Sequence, residues 1–278
     1  MLSADGQNTF LLDSAVFVDE DRVLFGRAAL NEADAQADNK RAALRSFKTL
    51  LSVSDLDRAL NTNAPATIDP HRVFQMRDLI VLYLAYLLAS IERAITADPI
   101  LAQGGTFSRR YAAPAWRSGD SAGMHDVIVR LFGEAEAFRT AVGKRLLSPD
   151  GLSLRAISEA LPKAMERAEA LEMGLIFEAT AAAAYTSVGL EGSGSHMIVV
   201  DMGAGTTDIA ALARLGPRTI ELPEARVTLK QAGDFIDRVI ANRVLESAKW
   251  AKRQDERTEL WSVLMRQMGD IKEAVKDA

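Results

Sequence analysis

A glycine-rich turn between two apolar runs constrains the fold of this chain more than any other feature. Residues 198–208 have the sequence Ile-Val-Val-Asp-Met-Gly-Ala-Gly-Thr-Thr-Asp. The apolar residues on either side predict two strands, Met197–Asp201 and Thr207–Ala213. In the turn Gly203–Gly205, glycines remove side chains and let backbone N–H groups approach an anion. The segment therefore predicts a β-hairpin with an anion-binding turn.

The polar side chains of this hairpin are of the types that bind magnesium and phosphate. Asp201 ends the first strand and Asp208 lies at the start of the second, and Mg²⁺ prefers carboxylates while it retains several waters. Thr206 can donate a hydrogen bond to a terminal phosphate. The alternative is an ordinary hairpin whose aspartates are solvated. The candidate phosphate-binding residues are Gly203, Ala204, Gly205, Thr206 and Thr207, and the candidate metal ligands are Asp201 and Asp208.

Composition excludes several other kinds of site. The 278 residues include no cysteine, which removes disulfides, iron–sulfur clusters and thiolate zinc sites. A net charge of −5 argues against nucleic acid or an anionic membrane as the main partner. The longest apolar stretch, Leu79–Ala89, is about half of the roughly 20 residues needed to span a bilayer. We therefore predict a cytoplasmic protein with no nucleic-acid partner and no membrane partner.

Short apolar runs and helical segments alternate along the rest of the chain. Ser14–Val18 and Val23–Phe25 are predicted strands, and Asp78–Ile95 has the apolar spacing of a helix. A break at Ser148–Gly151 separates two helical stretches. Asp234 is the predicted N-cap of a later helix, which has four apolar residues on one side: Ile236, Val239, Ile240 and Val244. This alternation predicts an α/β architecture.

The hairpin motif is similar to the second phosphate loop of the actin, Hsp70 and sugar-kinase superfamily, whose pattern is Asp-X-Gly-X-Gly-Thr-X-Asp. Upstream, Phe177–Tyr185 resembles the Hsp70 segment Asn-Glu-Pro-Thr-Ala-Ala-Ala, with Ala179 in place of the proline. That resemblance implies that Glu178 helps to place the attacking water, and the alternative is an ordinary glutamate at a helix N-terminus. Ser46–Leu51 resembles the Hsp70 stretch in which a lysine reaches the terminal phosphate, which implies this role for Lys48.

Two further segments resemble the same family. Gln231–Asp237 is similar to Gly-Gly-Glu-Asp-Phe-Asp, which implies that Gly233 lies near the nucleotide; the alternative is a glycine that only starts a helix. Lys272–Val275 is vaguely similar to the helix that packs on adenosine, and either Lys272 or Glu273 is the matching residue. The resemblance thus implies catalytic roles for Glu178, Lys48 and Thr206, and nucleotide binding by the phosphate-binding residues named above together with Gly233 and Lys272.

The resemblance also implies a fold and its division into lobes. The expected fold is an actin-like ATPase (ribonuclease H-like) fold, in which mixed sheets are flanked by helices, here incomplete. Residues 1–187 correspond to the first lobe, with an edge subdomain over about 15–103 and a core subdomain over about 104–187. Residues 188–278 correspond to part of the second lobe, with the hairpin and the start of its outer helical subdomain.

The implied function is ATP binding and hydrolysis by an Hsp70-like molecular chaperone. ATP or ADP and Mg²⁺ are the implied cofactors, and unfolded clients and co-chaperones are implied partners through parts outside this chain. Residues 1–12 do not match the family's first phosphate loop, Asp-X-Gly-Thr-Thr, and no adenosine-binding Gly-Gly-Ser/Thr loop follows. We therefore expect a fragment, truncated at both ends, that is inactive as an ATPase by itself. The alternatives are an actin-like filament-forming ATPase, of the cell-shape or plasmid-partition type, and a degenerate nucleotide-binding regulatory module.

Overall fold

The fold divides into two units, and each is built of sheets and helices. The computed structural model describes residues 12–45, 47, 50, 53, 55–113, 121–186, 196–203, 205–215, 218–229, 231–249 and 253–276. The units are Met1–Ile176 and Phe177–Ala278, so the division falls ahead of residue 187, where the resemblance places the end of the first lobe. Helices flank the sheets in the described chain, and the predicted α/β class is confirmed.

A four-stranded sheet begins the first unit. Its strands are β1 (Ala15–Val18), β2 (Arg22–Phe25), β3 (Leu44–Arg45) and β5 (Leu152–Ser153), in the spatial order β3-β1-β2-β5. The neighbouring strands are antiparallel. Helix α1 (Gly26–Ala35) buries Ala29 and Ala33 in the same cluster as Phe17 and Leu24 of the sheet. The two strands predicted before residue 26 are confirmed.

Three long helices complete most of the first unit. They are α3 (Met76–Ala97), α4 (Ser121–Val142) and α5 (Leu154–Arg167), preceded by the short α2 (Leu56–Leu60). Helix α4 packs against both α3 and α5. Strands β4 (Arg109–Ala113) and β6 (Met173–Phe177) pair in a small separate sheet. A two-pronged ion pair joins α3 to α4, because the guanidinium of Arg77 donates to both carboxylate oxygens of Glu134.

Helix α3 confirms the predicted helix over 78–95 and is unusually apolar. Among the described residues it is the helix that is long and apolar enough to span a membrane. Half of its most apolar stretch is buried inside the protein. Tyr83 and Tyr86 of this helix stack on Phe47 and Phe25, with ring centroids 4.5 Å and 5.2 Å apart. Length and composition alone are therefore weak evidence for a membrane span, because the core helix of a folded domain has the same properties.

The second unit is built on the predicted hairpin. Strands β7 (His196–Met202) and β8 (Thr207–Leu215) are antiparallel neighbours, which confirms the two strands predicted from the sequence. Strands β9 (Arg218–Glu221) and β10 (Val227–Leu229) both pair with β8. Helix α6 (Glu178–Thr186) packs on one face of this sheet, where Ala179 and Ala183 contact Ala210 and Leu212. The alanines of the helix allow it to approach the sheet closely.

The opposite face of the same sheet is apolar and uncovered by the described residues. Its exposed side chains alternate along the strands with those that face α6, and Ile198 at 74 % has the highest exposure among them. In a strand that is covered on both faces, the residues that point to either face are apolar. The residues of this sheet are apolar on both faces, as in a sheet that is covered on both sides. The large exposed apolar side chains of this face are Ile198, Val200 and Met202 of β7, Ile220 of β9, and Val227 and Leu229 of β10.

Two helices, α7 (Gly233–Ser247) and α8 (Gln254–Lys276), pack against each other at the end of the chain. The prediction that Asp234 is the N-cap of α7 was wrong, because the helix already begins at Gly233 and its N-cap is Ala232. The reason is a tertiary hydrogen bond, in which the Gly233 N–H donates to the Gly203 carbonyl at 3.0 Å. The apolar side predicted for this helix is largely exposed, as Ile236, Val239 and Val244 show.

Candidate phosphate-binding site

The turn of the hairpin is short and closed by its own backbone. Met202 and Thr207 form the last residue pair between β7 and β8. Beyond them, the N–H of Gly203 donates to the carbonyl of Thr206 at 2.9 Å. Residues 203–206 thus make the turn at the place where the two glycines predict it. Ala204, one of the predicted phosphate-binding residues, lies outside the described residues.

The register of the hairpin brings its two carboxylates together. Asp201 is directly opposite Asp208, two residues beyond the pair Val199 and Ala210. Residues directly opposite each other in an antiparallel pair project from the same face of the sheet, and alternate pairs share that face. Because Val199 and Ala210 pack with α6, both aspartates lie on the α6 side of the sheet, next to the turn.

Asp208 holds three parts of the site in place. Its side chain is buried, and its Oδ2 accepts a hydrogen bond from the Thr206 hydroxyl at 3.1 Å. Its Oδ1 accepts a hydrogen bond from the Thr228 hydroxyl of β10 at 2.6 Å. A buried carboxylate needs such donors, because an unpaired buried charge is costly. Asp208 therefore connects β8 to the turn and to β10.

Asp201 has a different environment from its neighbour across the hairpin. It is half-buried, and its carboxylate makes no hydrogen bond or ion pair with the described residues. Those residues also contain no group of three or more histidine, cysteine, aspartate or glutamate side chains that could hold a metal ion. Mg²⁺ fits such a site, because it binds through one or two carboxylates and keeps most of its waters. Asp201 is the carboxylate that can receive the hydrated ion, while Asp208 is committed to the two threonines.

The start of α7 is tied to the same turn. Besides the bond between Gly233 and Gly203, the Thr207 hydroxyl donates to the carbonyl of Gln231 at 2.7 Å. The structure thus brings together Gly233 and the predicted residues of the turn, although they are about thirty positions apart in the chain. Two other predicted residues are not placed by it. Lys48 lies outside the described residues, and Lys272 is in α8 with an undescribed side chain.

Glu178 is the first residue of α6, and the residues around it are held from both sides. The hydroxyl of Thr180 donates to Glu221, which also forms an ion pair with Arg226 at 2.7 Å. The guanidinium of Arg226 lies over the ring of Phe177, 3.6 Å from its centroid. Both members of the ion pair are only 10 % exposed. The N-terminus of α6, and with it Glu178, is therefore fixed relative to β9 and β10.

Sequence reasoning missed the residues that support this site. The β-branched and apolar residues of Arg226–Leu229 also predict a strand, but its register against β8, which brings Thr228 opposite Asp208, is a long-range property. Glu221 and Arg226 likewise carry no local signal. Thr180 is part of the segment that resembles Hsp70, and its position two residues after Glu178 could have indicated a supporting role.

Comparison with known proteins gives short matches to one kind of protein. No protein-family model matches the chain. Over 51 residues, or 18 % of its length, the chain is 49 % identical to the actin-like protein MamK of Paramagnetospirillum magneticum. Over 52 residues it is 46 % identical to the actin-like protein MamK of Magnetospirillum gryphiswaldense. These matches span only 14 % and 13 % of the lengths of the two relatives.

The matches support the actin/Hsp70 superfamily. They agree with the α/β class of the fold, which is consistent with an actin-like ATPase fold. The narrower expectation of an Hsp70-type chaperone is not shown, because the matched proteins are actin-like and the matched segment is short.

Proposed function

We propose that the second unit contributes to a Mg²⁺-nucleotide site of the actin/Hsp70 type and that the hairpin between β7 and β8 binds the phosphates. The observation that carries the proposal is that three features meet at one glycine turn. They are Asp201, whose carboxylate has no partner among the described residues, the buried and hydrogen-bonded Asp208, and the N-terminus of α7 at Gly233. The short matches to actin-like proteins support the same assignment.

In this proposal each residue of the chain has a separate task. Backbone N–H groups of Gly205 and Thr206 in the turn bind phosphate oxygens, since glycines allow close approach, and the backbone bonds of Gly203 and Gly233 hold the turn in that shape. Asp201 holds the hydrated Mg²⁺, which neutralises charge on the phosphates when bound. Glu178 orients the attacking water, and Lys48 and Thr206 stabilise the charge that develops on the transferred phosphoryl group. Thr206 would exchange its bond to Asp208 for one to phosphate.

Asp201→Asn is expected to weaken nucleotide binding only in the presence of Mg²⁺. A carboxylate that contacts the ion through its waters acts like an outer-shell partner, so we expect the Mg²⁺-dependent part of the affinity to fall about tenfold or more. An NMR titration of the ¹⁵N-labelled chain with ATP, with Mg²⁺ and with a chelator, measures this even for weak binding. The amides of Gly203, Gly205 and Gly233 should shift.

Asp255→Asn is the control for this experiment, because that aspartate is exposed and, among the described residues, pairs only with the nearby Arg253. It should leave the titration unchanged. If the Asp201 variant lost the same nucleotide affinity with and without Mg²⁺, the metal role would be contradicted. If the glycine amides did not shift, the phosphate site itself would be contradicted.

In a longer form of the protein that also contains the first phosphate loop, Glu178→Ala is expected to slow ATP hydrolysis far more than it weakens ATP binding. Positioning of the water matters chiefly in the transition state, and general-base contributions are typically about 10²–10⁴-fold. Phosphate release and nucleotide affinity are measured in parallel on the same samples. Glu224→Ala is the matched control, since Glu224 is exposed and also lies in the second unit. A proportional loss of affinity and rate would assign Glu178 to binding instead.

Two finer functions are compatible with such a site, and a different observation favours each. The segment from Glu178 to Ala183, with its threonine and alanines, favours an Hsp70-like chaperone in the cytoplasm. The matches to actin-like proteins favour a filament-forming ATPase. We put the chaperone first because of the motif at Glu178. ATP-dependent light scattering, with filaments seen by electron microscopy, would reverse that order.

A further inference from the structure

A groove between α4 and α5 in the first unit is separate from the proposed nucleotide site. It has a volume of about 530 Å³ and is lined by residues of α4, of the 3₁₀ turn Gly143–Leu147 and of α5. Its apolar surface consists of alanines, namely Ala137 and Ala141 of α4 and Ala156, Ala160 and Ala164 of α5. Alanines at these helical spacings leave room for another helix to approach to roughly 8–10 Å between axes.

The charges that line the groove are mostly positive and unpaired. Arg145 lies on one wall, and Lys163 and Arg167 lie on the other. Lys163 and Arg167 make no ion pair with the described residues, and Arg145 donates only to the carbonyl of Val142. The single carboxylate of the lining, Glu159, is already paired with Arg155 at 2.9 Å. The groove therefore offers positive charge on both of its edges, although the whole chain has a net charge of −5.

We propose that this groove binds an acidic amphipathic helix of a partner protein. The apolar side of such a helix would lie on the alanine floor, and carboxylates along its two edges would face Arg145 on one wall and Lys163 and Arg167 on the other. From Ala156 to Arg167 the groove follows α5 for about 16 Å at a rise of 1.5 Å per residue, which accommodates about three turns of the partner. Helix-in-groove recognition of this kind needs a concave apolar floor with complementary charges at the rim.

The direct test is titration of the full chain with a fluorescent peptide that has alanine and leucine on one side and glutamate along both edges. The peptide is about 20 residues long, because shorter isolated helices are marginal in water. We expect saturable binding that weakens as salt screens the rim charges. The double variant Lys163→Glu/Arg167→Glu should bind at least about tenfold more weakly, since like charges then face each other.

Two further variants separate the groove from general electrostatics. Ala160→Phe should abolish binding without a change in charge, because it fills the floor. Lys144→Glu makes the same kind of charge change one residue before Arg145 but outside the lining, and it should bind like the unaltered chain. Thermal melting verifies that each variant is folded. If the double variant unfolds, the Ala160→Phe variant and the salt dependence of peptide binding still test the groove.

The outcomes that overturn the proposal are equally specific. They are absence of peptide binding, equal weakening by Lys144→Glu, equal binding of a peptide with lysine in place of glutamate, and binding unaffected by Ala160→Phe. Vesicles with anionic lipid are titrated in parallel; binding to vesicles without binding to the peptide would assign the positive edge to a membrane surface instead. None of these measurements involves nucleotide. Failure of the groove proposal therefore leaves the proposed nucleotide site standing, and failure of the nucleotide site leaves the groove proposal standing.

Discussion

Replacement of Glu134 by alanine is expected to lower the free energy of unfolding of the first unit by about 3–5 kcal/mol. Glu134 is 4 % exposed and receives both prongs of the Arg77 guanidinium, which is itself only 17 % exposed. Removal of one partner leaves a largely buried charge without compensation, and this cost exceeds the net value of the pair. For a unit of this size the melting temperature should fall by roughly 6–20 °C.

Thermal and chemical unfolding of three variants measures this effect. Glu159→Ala is the control, because the pair of Glu159 with Arg155 is exposed and should contribute less than about 0.5 kcal/mol. The double variant Arg77→Met/Glu134→Leu replaces the ion pair with apolar contact and should recover most of the stability. A Glu134 variant as stable as the Glu159 variant would mean that the ion pair does not hold α3 against α4.

Replacement of Asp208 by alanine is expected to destabilise the second unit by about 3–6 kcal/mol, because two hydrogen bonds to a charged group are lost and each contributes about 1.5–3 kcal/mol. Asp208 is 1 % exposed and accepts hydrogen bonds from Thr206 and Thr228. Its loss leaves both hydroxyls without that acceptor and disconnects β10 from β8 at this point. Hydrogen exchange should accelerate at the amides of Thr228 and Leu229.

Asp201→Ala is the matched comparison, because it removes a carboxylate from the opposite position of the same hairpin. Asp201 has no hydrogen-bonding partner among the described residues, so we expect a change in stability below about 1 kcal/mol. The two variants should thus have different effects. Loss of Asp208 should lower stability, and loss of Asp201 should weaken Mg²⁺-dependent nucleotide binding. Similar losses of stability in both variants would contradict this division.

The hairpin shows how far local sequence determines a structure. Two apolar runs and two glycines predict strands and a turn, and the structure has β7, β8 and a turn at 203–206. These features depend on neighbours in the chain, because turn conformation and strand periodicity are local properties. The start of α7 shows the limit of such reasoning. Asp234 has the chemistry of an N-cap, but the hydrogen bond between Gly233 and Gly203 starts the helix earlier.

The roles of the two aspartates show what required the tertiary structure. In the sequence, Asp201 and Asp208 are equivalent candidates for a metal, and nothing local distinguishes them. Pairing of β10 with β8 brings the Thr228 hydroxyl to Asp208. Asp208 is therefore occupied by a hydrogen-bond donor, whereas Asp201 has no such donor among the described residues. The groove on α4 and α5 also arises only when the two helices pack, since its alanines and cations are ordinary in each helix alone.

The sequence by itself determined the α/β class, the hairpin and the carboxylates and glycines that can bind Mg²⁺ and phosphate, because these depend on residue type and on spacing over a few positions. Only the tertiary structure decided which carboxylate is buried, that Glu221 and Arg226 hold the start of α6, and where an alanine floor meets a positive edge. Those properties depend on contacts between residues far apart in the chain, whose geometry is set by packing.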